Sequence, residues 1–294
     1  MKSEGPMEEI RTVAPLPILI YEDIVRRALA EDLGRAGDIT SDAILPDNFV
    51  ASGNLIARES GRIAGLDAAL LVFRLMDPAA EVDLRCPDGN DAAAGAVLAR
   101  VRGRGRALLA AERTALNLLG RLSGIATITR DVVKTLEGLP VRVVATRKTT
   151  PGLRVLEKYA VRLGGGGPHR YGLDDAVLIK DNHRALAGGL GQAVARTRVS
   201  AGHMVVVEVE VDTLEQLDEA LSLPVDVVLL DNMPIPSLRE AVRRTKKRVL
   251  LEASGGITPA NVREVAETGV DIVSLGWITH SARALDVAFD ITSS

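Results

Sequence analysis

Residues 204–232 read MVVVEVEVDTLEQLDEALSLPVDVVLLDN and contain a strand, a helix and a second strand. The apolar runs 204–211 and 225–232 are almost continuous, which is typical of strands buried on both faces of a parallel sheet. Between them, Asp212 and Glu215 have the spacing of a capping box, which predicts the start of a helix. Because strand–helix–strand crossovers are right-handed, the two strands should lie parallel.

The same unit recurs on both sides of this segment. Thr150 before Pro151 and Thr258 before Pro259 predict further helix starts. Four other strand-like runs are VRVVATRK (141–148), DAVLIKDN (175–182), RVLLEASGG (248–256) and DIVSLGW (271–277). Six or seven strands in this order predict an open (incomplete) TIM-like α/β barrel, with a doubly wound sheet as the alternative.

The residues before this repeat follow another pattern. Residues 18–32 have apolar side chains at helical spacing, and residues 107–136 predict a long linker helix. Between Val50 and Val101, short apolar runs are broken by Gly, Asp and Pro, which is typical of a small α+β domain. The chain therefore divides into a small N-terminal part and a larger barrel.

The composition restricts the partners. A net charge of −3 argues against a general nucleic-acid binder or a binder of acidic membranes. Residues 1–17 form a loose leader without a long apolar core, so we expect neither a signal peptide nor a membrane span. The single cysteine, Cys86, excludes an internal disulfide and is compatible with a cytoplasmic protein, which is our expectation.

Polar side chains end nearly every strand of the repeat. Since the carboxyl ends of parallel strands meet at one edge, these side chains should share a ligand site. Burying an unpaired charge costs several kcal/mol, so these charges should meet each other or a ligand. The residues are Thr146, Arg147, Lys148, Lys180, Asp181, Asn182, Glu208, Glu210, Asp231, Asn232, Ser254, Gly255, Gly256 and Gly276.

The signs of these charges predict a polyanionic ligand. Guanidinium groups pair with planar carboxylates and lysines act as point charges; the candidates are Arg147, Lys148, Arg170 and Lys180. Glu210 and Asp231 offer hard oxygen ligands for Mg²⁺ on a pyrophosphate. We expect Glu208 on the opposite face of its strand from Glu210, so that only one of the two meets the metal. The SGG turn at 254–256 and Gly276 would hold a phosphate.

Seven segments carry a resemblance to a known family. They are EDLGRAGDITSDAILP (31–46), AERTALNLLGRLSGIAT (111–127), ATRKTTPGLRVLEKYAVRLGGGGPHRYGLDDAVLIKDNH (145–183), EVEVDTLEQL (208–217), LLDNM (229–233), LEASGGI (251–257) and SLGWITHS (274–281). From about Tyr21 to Asp290, the sequence resembles the nicotinate-nucleotide pyrophosphorylase (carboxylating) family, also called quinolinate phosphoribosyltransferase.

The resemblance implies an N-terminal α/β sandwich domain at residues 18–115, to which residues 282–294 return, and a barrel domain at residues 116–281. It also implies a homodimer in which each active site is completed by the neighbouring subunit. The implied reaction converts quinolinate and phosphoribosyl pyrophosphate to nicotinate mononucleotide, carbon dioxide and pyrophosphate, in de novo NAD biosynthesis.

The resemblance also implies roles for individual residues. Quinolinate would be held by Arg147, His169 and Arg170, with Arg113 reaching in from the other subunit. Phosphoribosyl pyrophosphate would contact Lys148, Lys180 and Mg²⁺ near Glu210 and Asp231, which makes these four the catalytic group. Its 5-phosphate and the rest of the substrates would contact Thr146, Ser254, Gly255, Gly256, Gly276 and His280.

Two positions depart from expectation. Pro168 stands where the family commonly has Asn before the His-Arg pair, and proline lacks an N–H donor. Trp277 is bulky for a residue beside a phosphate turn. Two alternatives remain: the related protein found beside molybdate transport systems, and a module that binds phosphoribosyl pyrophosphate or a pyridine carboxylate without turning it over.

Overall fold

A computed structural model describes residues 13–292 of the chain. Its helices are α1 (Ile18–Leu33), α2 (Ile39–Ile44), α3 (Leu66–Met76), α4 (Gly105–Thr135), α5 (Arg154–Leu163), α6 (Asp181–Ala187), α7 (Leu190–Ser200), α8 (Leu214–Ala220), α9 (Ile235–Thr245), α10 (Val262–Ala266) and α11 (Trp277–His280). Its strands are β1 (Val50–Ala57), β2 (Gly61–Arg62), β3 (Glu81–Leu84), β4 (Asp91–Ala92), β5 (Val97–Arg104), β6 (Arg142–Val144), β7 (Val177–Ile179), β8 (Val207–Val211), β9 (Val227–Asp231), β10 (Leu250–Ser254), β11 (Ile272–Ser274) and β12 (Val287–Thr292).

Six parallel strands form the C-terminal sheet in the order β6-β11-β10-β9-β8-β7. Each strand from β7 to β10 pairs with the next one along the chain, and β11 pairs with β6. Only the β6–β7 pairing is missing from this ring, within the described residues. In a doubly wound sheet the order of the strands would reverse partway across the sheet. The order here runs from β7 to β11 without a reversal. The open barrel is therefore confirmed, and the doubly wound alternative is wrong.

A four-stranded antiparallel sheet forms the N-terminal domain, in the order β12-β1-β5-β3. The last strand of the described residues, β12, pairs with β1 from Ser52–Thr292 to Ala57–Val287, so residues 287–292 lie in the sheet of the first domain. Buried apolar side chains of this layer include Leu55, Leu98 and Phe289, and α3 packs its buried face against α4. The predicted N-terminal α/β layer is therefore present.

The long helix α4 belongs to both domains. It is continuous across residue 115, where the sequence predicted the domain boundary. Glycines allow the returning segment to approach this helix: an added Cβ at Gly120 would lie 2.9 Å from the Leu285 carbonyl oxygen, and one at Gly124 would lie 1.9 Å from that of Arg283. The returning segment therefore packs directly on α4, the helix that the two domains share.

Three predicted helix starts lie elsewhere. Thr150 and Pro151 form a turn, in which Leu153 N–H donates to the Thr150 carbonyl, and α5 begins only at Arg154. The cap of α8 is Thr213, whose hydroxyl accepts from Gln216 N–H, and not Asp212. The helix expected after Thr258 begins at Val262.

The predicted leader, residues 1–17, falls mostly outside the described residues, and α1 begins at Ile18. Within residues 13–292, no helix combines the length and the apolar character needed to cross a membrane.

We expect Gly124→Ala to lower the free energy of unfolding by up to about 2 kcal/mol. Alanine is favoured over glycine inside a helix by about 1 kcal/mol, but overpacking against a backbone carbonyl costs about 1–3 kcal/mol. Gly191→Ala in α7 is the matched control, because it is also helical and an added Cβ there meets only Leu223 Cδ2, at 3.9 Å. Urea denaturation measures the difference, and equal midpoints for the two variants would contradict the close approach.

Candidate active site

The predicted polar residues gather at the carboxyl edge of the barrel sheet. Thr146, Arg147 and Lys148 come one residue after the end of β6, and Lys180 directly follows β7. The other strands contribute Glu210 in β8, Asp231 at the end of β9, Ser254 at the end of β10 and Gly276 after β11. Six separate chain segments therefore bring functional groups to one edge.

Two guanidinium groups lie together at this edge. The Nε of Arg147 is buried and has no hydrogen-bond partner within the described residues. Burial and the positive charge of Arg147 both lower the pKa of Arg170, whose Nη1 donates to the Ala176 carbonyl at 3.0 Å. A buried donor without an acceptor is costly, so the pair is arranged for an anion that the chain itself does not supply.

Two acidic side chains stand beside the cations. Lys180 Nζ donates to Glu210 Oε2 at 2.9 Å, and Asn232 Nδ2 donates to Asp231 Oδ2 at 2.8 Å. The Glu210 side chain is 15% exposed. Carboxylate oxygens fit a Mg²⁺ ion that keeps several waters and binds substrate phosphates, so this donor set suits the predicted metal.

A glycine turn follows β10. Gly255 and Gly256 have φ of 85° and 60°, and a Cβ at Gly255 would lie 2.2 Å from Asn232 Oδ1. Asn232 N–H donates to the Ser254 carbonyl at 2.9 Å, which ties the end of β9 to this turn. A cavity of about 230 Å³ opens here between β9 and β10. Only glycine combines this backbone with such close packing.

The next loop completes the cup. A Cβ at Gly276 would lie 3.1 Å from Lys148 Cδ and 3.3 Å from the His280 ring, so both side chains border this glycine. The bulk of Trp277 is accommodated because its Nε1–H donates to the Ile257 carbonyl at 2.8 Å. The indole therefore braces the glycine turn from outside.

The turn at 168–170 carries an unusual backbone. His169 has a φ of 52°, in the left-handed region that non-glycine residues rarely adopt. Its Nδ1 accepts from Arg170 N–H at 2.7 Å, while its Nε2 lies 3.4 Å from Glu208 Oε2 and 3.5 Å from Glu252 Oε1. Burial lowers the pKa of His169, but the two carboxylates outweigh burial and raise it, which keeps Nε2 protonated. The hydrogen bond from Arg170 N–H opposes protonation of Nδ1, because Nδ1 needs a free lone pair to accept it.

Sequence reasoning missed Lys158, which lies in the quoted KYAVR segment. Its side chain is fully buried in α5, and its Nζ donates to the carbonyls of Pro168 and Arg170, on either side of His169. Pro168 lacks an N–H, but its carbonyl accepts a hydrogen bond from Lys158. The signal was a lysine within an apolar helical run, whose neighbour Glu157 is also buried and accepts from Arg121.

The expectation for Glu208 was wrong. Glu208 and Glu210 are two positions apart in β8, and side chains at this spacing share a face of a strand. The two side chains lie at different depths in the barrel. Glu210 contacts Lys180 at the carboxyl edge, whereas Glu208 is only 5% exposed and faces His169.

Arg113 lies apart from the cluster at the strand ends. It is an exposed residue of α4 and forms no ion pair within the part of the chain described. A cavity of about 610 Å³ lies beside it, lined by its neighbours Thr114 and Asn117 together with α1 and the turn before α5.

Residues 38–123 match the N-terminal domain of quinolinate phosphoribosyl transferase, and residues 125–290 match its C-terminal domain. The chain belongs to the quinolinate phosphoribosyl transferase family. The matches meet within α4, close to the boundary that the sequence suggested.

Relatives of this family are similar over nearly their full length. The probable nicotinate-nucleotide pyrophosphorylase (carboxylating) of Bacillus subtilis (strain 168) is 44% identical over 276 residues, which are 94% of this chain and 95% of the relative. The nicotinate-nucleotide pyrophosphorylase (carboxylating) of Mycobacterium leprae (strain TN) is 46% identical over 277 residues, or 92% and 96% of the two chains. The crystal structure of NadC from Streptococcus pyogenes superposes with a TM-score of 0.91 at 38% identity, over 95% and 99% of the two chains.

We expect the stability difference between the natural protein and Lys158→Met to change with pH. Burial, with the neighbouring Arg154 and Arg147, lowers the pKa of Lys158 from 10.5 to about 8. Between these values the unfolded chain holds more protons than the folded one, so stability relative to the variant should rise with pH, by up to roughly 3 kcal/mol.

Urea denaturation at pH 7.5 and pH 10 measures this change for Lys158→Met. Lys134→Met, at an exposed position near the end of α4, is the control and should show no such trend. A Lys158→Met difference that is constant with pH would contradict the lowered pKa.

Proposed function

We propose that this protein is a decarboxylating quinolinate phosphoribosyltransferase, a pentosyltransferase of NAD biosynthesis. It joins quinolinate to phosphoribosyl pyrophosphate and releases nicotinate mononucleotide, carbon dioxide and pyrophosphate. The observation that carries the proposal is the Arg147–Arg170 pair, with its buried unpartnered Nε, beside the acid and lysine groups of neighbouring strand ends. Membership of the family supports the same reaction.

Quinolinate carries two adjacent carboxylates, and two guanidinium groups match them. Arg147 and Arg170 would hold these carboxylates, with Arg113 of the partner subunit completing the pocket. A ligand that lacks one carboxylate leaves a desolvated guanidinium without a partner, which costs more than the lost contact itself. This explains why nicotinate, with one carboxylate, should be a poor substrate.

Phosphoribosyl pyrophosphate would lie across the other strand ends. Lys148 and Lys180 would meet the pyrophosphate, and Glu210 and Asp231 would hold Mg²⁺. The 5-phosphate would enter the glycine cup, with the remaining contacts made by Thr146, Ser254, Gly255, Gly256, Gly276 and His280.

The residues then act by positioning and by charge. Lys148 and Lys180 stabilise the negative charge that builds on the departing pyrophosphate as the ribose C1 gains oxocarbenium character. Mg²⁺, if held by Glu210 and Asp231, would supply further charge stabilisation for this leaving group. The arginines hold the pyridine nitrogen against C1, so that the new N–C1 bond forms as the C1–O bond breaks.

Decarboxylation follows from the charge on the new nucleotide. Once the ring nitrogen is positive, the C2–carboxylate bond can break, its electron pair remaining at C2 beside the nitrogen. Carbon dioxide leaves and C2 takes a proton from water. No covalent nucleophile is required of the protein.

A homodimer in the cytoplasm is part of the same proposal. Exposed apolar side chains on the first two helices support a contact with a second copy: Leu19 is 85% exposed, Ile39 69% and Ile44 71%. Arg113 is exposed on the neighbouring α4 and free to reach a second subunit. The single cysteine of the chain suits a reducing compartment.

Incubation with quinolinate, phosphoribosyl pyrophosphate and Mg²⁺ tests the function. We expect equal amounts of nicotinate mononucleotide and carbon dioxide, with little product from nicotinate. Arg147→Met should raise the KM for quinolinate by about 100-fold or more, because a charged hydrogen-bond partner of a desolvated carboxylate is lost. Binding of quinolinate without product would instead favour the sensor or the molybdate-associated relative.

Co-expression of Arg113→Ala and Arg147→Ala chains tests the shared site. In a hybrid dimer, one site has its own Arg147 and the partner subunit's Arg113, whereas the other site lacks both. With random pairing, half of the dimers are hybrids, so about a quarter of the wild-type sites should be intact. Each variant expressed alone should be nearly inactive, and a mixture no more active than its components would refute site sharing.

A further inference from the structure

A buried pair of carboxylates lies beneath the arginines and has no role in the reaction described above. We propose that Glu208 and Glu252 are positioning residues that set the affinity for quinolinate, acting through His169 and the turn that carries Arg170. The proposal rests on the proposed function, and it makes His169 an anchor of this turn rather than a ligand of the substrate.

The contacts of the imidazole support this role. Its Nδ1 is occupied by Arg170 N–H at 2.7 Å, and its Nε2 faces the two carboxylates at 3.4 and 3.5 Å. With Nδ1 accepting, the proton resides on Nε2 and points between Glu208 and Glu252. Both polar atoms of the ring are therefore directed at the protein, and neither remains for a substrate carboxylate.

The carboxylates are placed for this ring. Glu208 is 5% exposed and Glu252 2%, and the Oε1 atom of each is buried with no hydrogen-bond partner within the described residues. Glu157, another buried glutamate, accepts from Arg121 and Thr150. Among the described residues, His169 is the one ion-pair partner within 4.0 Å of both Glu208 and Glu252.

The turn needs such an anchor. A left-handed backbone costs a non-glycine residue about 1–2 kcal/mol, so the φ of 52° at His169 persists only if surrounding contacts impose it. Lys158 holds the two flanking carbonyls from the backbone side. Glu208 and Glu252 hold the His169 side chain. Together with Lys158, they fix the turn so that Arg170 is directed to the site.

The consequence is specific to one substrate. Arg170 follows His169 directly, so relaxation of the turn displaces a guanidinium that binds quinolinate. Lys148, Lys180 and the glycine cup lie on other loops, which leaves phosphoribosyl pyrophosphate unaffected. Loss of the anchor should raise one KM and spare the other.

Steady-state kinetics of Glu252→Leu and Glu252→Gln test the anchor. Leucine keeps the bulk without an acceptor, and it should raise the KM for quinolinate about ten-fold or more, with the KM for phosphoribosyl pyrophosphate changed less than about two-fold. Glutamine keeps an acceptor oxygen and should stay within about three-fold of the natural protein. Equal effects of both variants, or equal effects on both KM values, would overturn the proposal; thermal melting verifies that each variant is folded.

Nitrogen NMR of ¹⁵N-histidine protein supplies a second readout that requires no folded variant of Glu252. The signals of His169, assigned by their loss in His169→Gln, should show an Nε2–H tautomer that persists when quinolinate saturates the site. A change of tautomer on binding would make His169 a direct ligand and overturn the proposal. If the natural protein yields no nicotinate mononucleotide, the proposed function fails, whereas normal turnover with unshifted KM values in Glu252→Leu refutes the anchor alone.

Discussion

Charge buried beneath the carboxyl edge of the sheet is the constraint on which the rest of the site depends. Barrels of this kind usually fill their interior with branched aliphatic side chains. Here Glu208 and Glu252 are buried on the barrel strands and Lys158 is buried in α5, and each needs a partner because an isolated buried charge is unstable. Lys158 takes the carbonyls around His169, and the acids take its ring. The shape of the turn at 168–170 follows from these demands.

The sheet architecture was accessible from sequence because it depends on hydrophobic pattern and strand polarity. Six nearly continuous apolar runs predicted six parallel strands, and the six-stranded sheet confirms them. Strand polarity alone then placed the chemistry at one edge. Helix starts were less accessible: the hydroxyl of Thr213, not the carboxylate of Asp212, caps α8, and such a choice depends on the local backbone path.

Depth within the barrel could not be predicted from the pattern. Glu208 and Glu210 look alike in VEVEV, yet the first is buried against His169 and the second meets Lys180 at the rim. Lys158 gave no signal beyond its apolar neighbours, because its partners are backbone carbonyls of a distant turn. Contacts of this kind depend on which backbone atoms the fold brings near, and residue type does not encode them.

The pairing of β12 with β1 also bears on how the chain is made. Synthesis begins at the amino end, so β1, β3 and β5 leave the ribosome well before β12, with the whole barrel between them. The first domain therefore exposes one unpaired edge of β1 until translation of the barrel is complete. The two sheets are separate, and the barrel, whose last strand ends at Ser274, is the first of them that can be completed during synthesis.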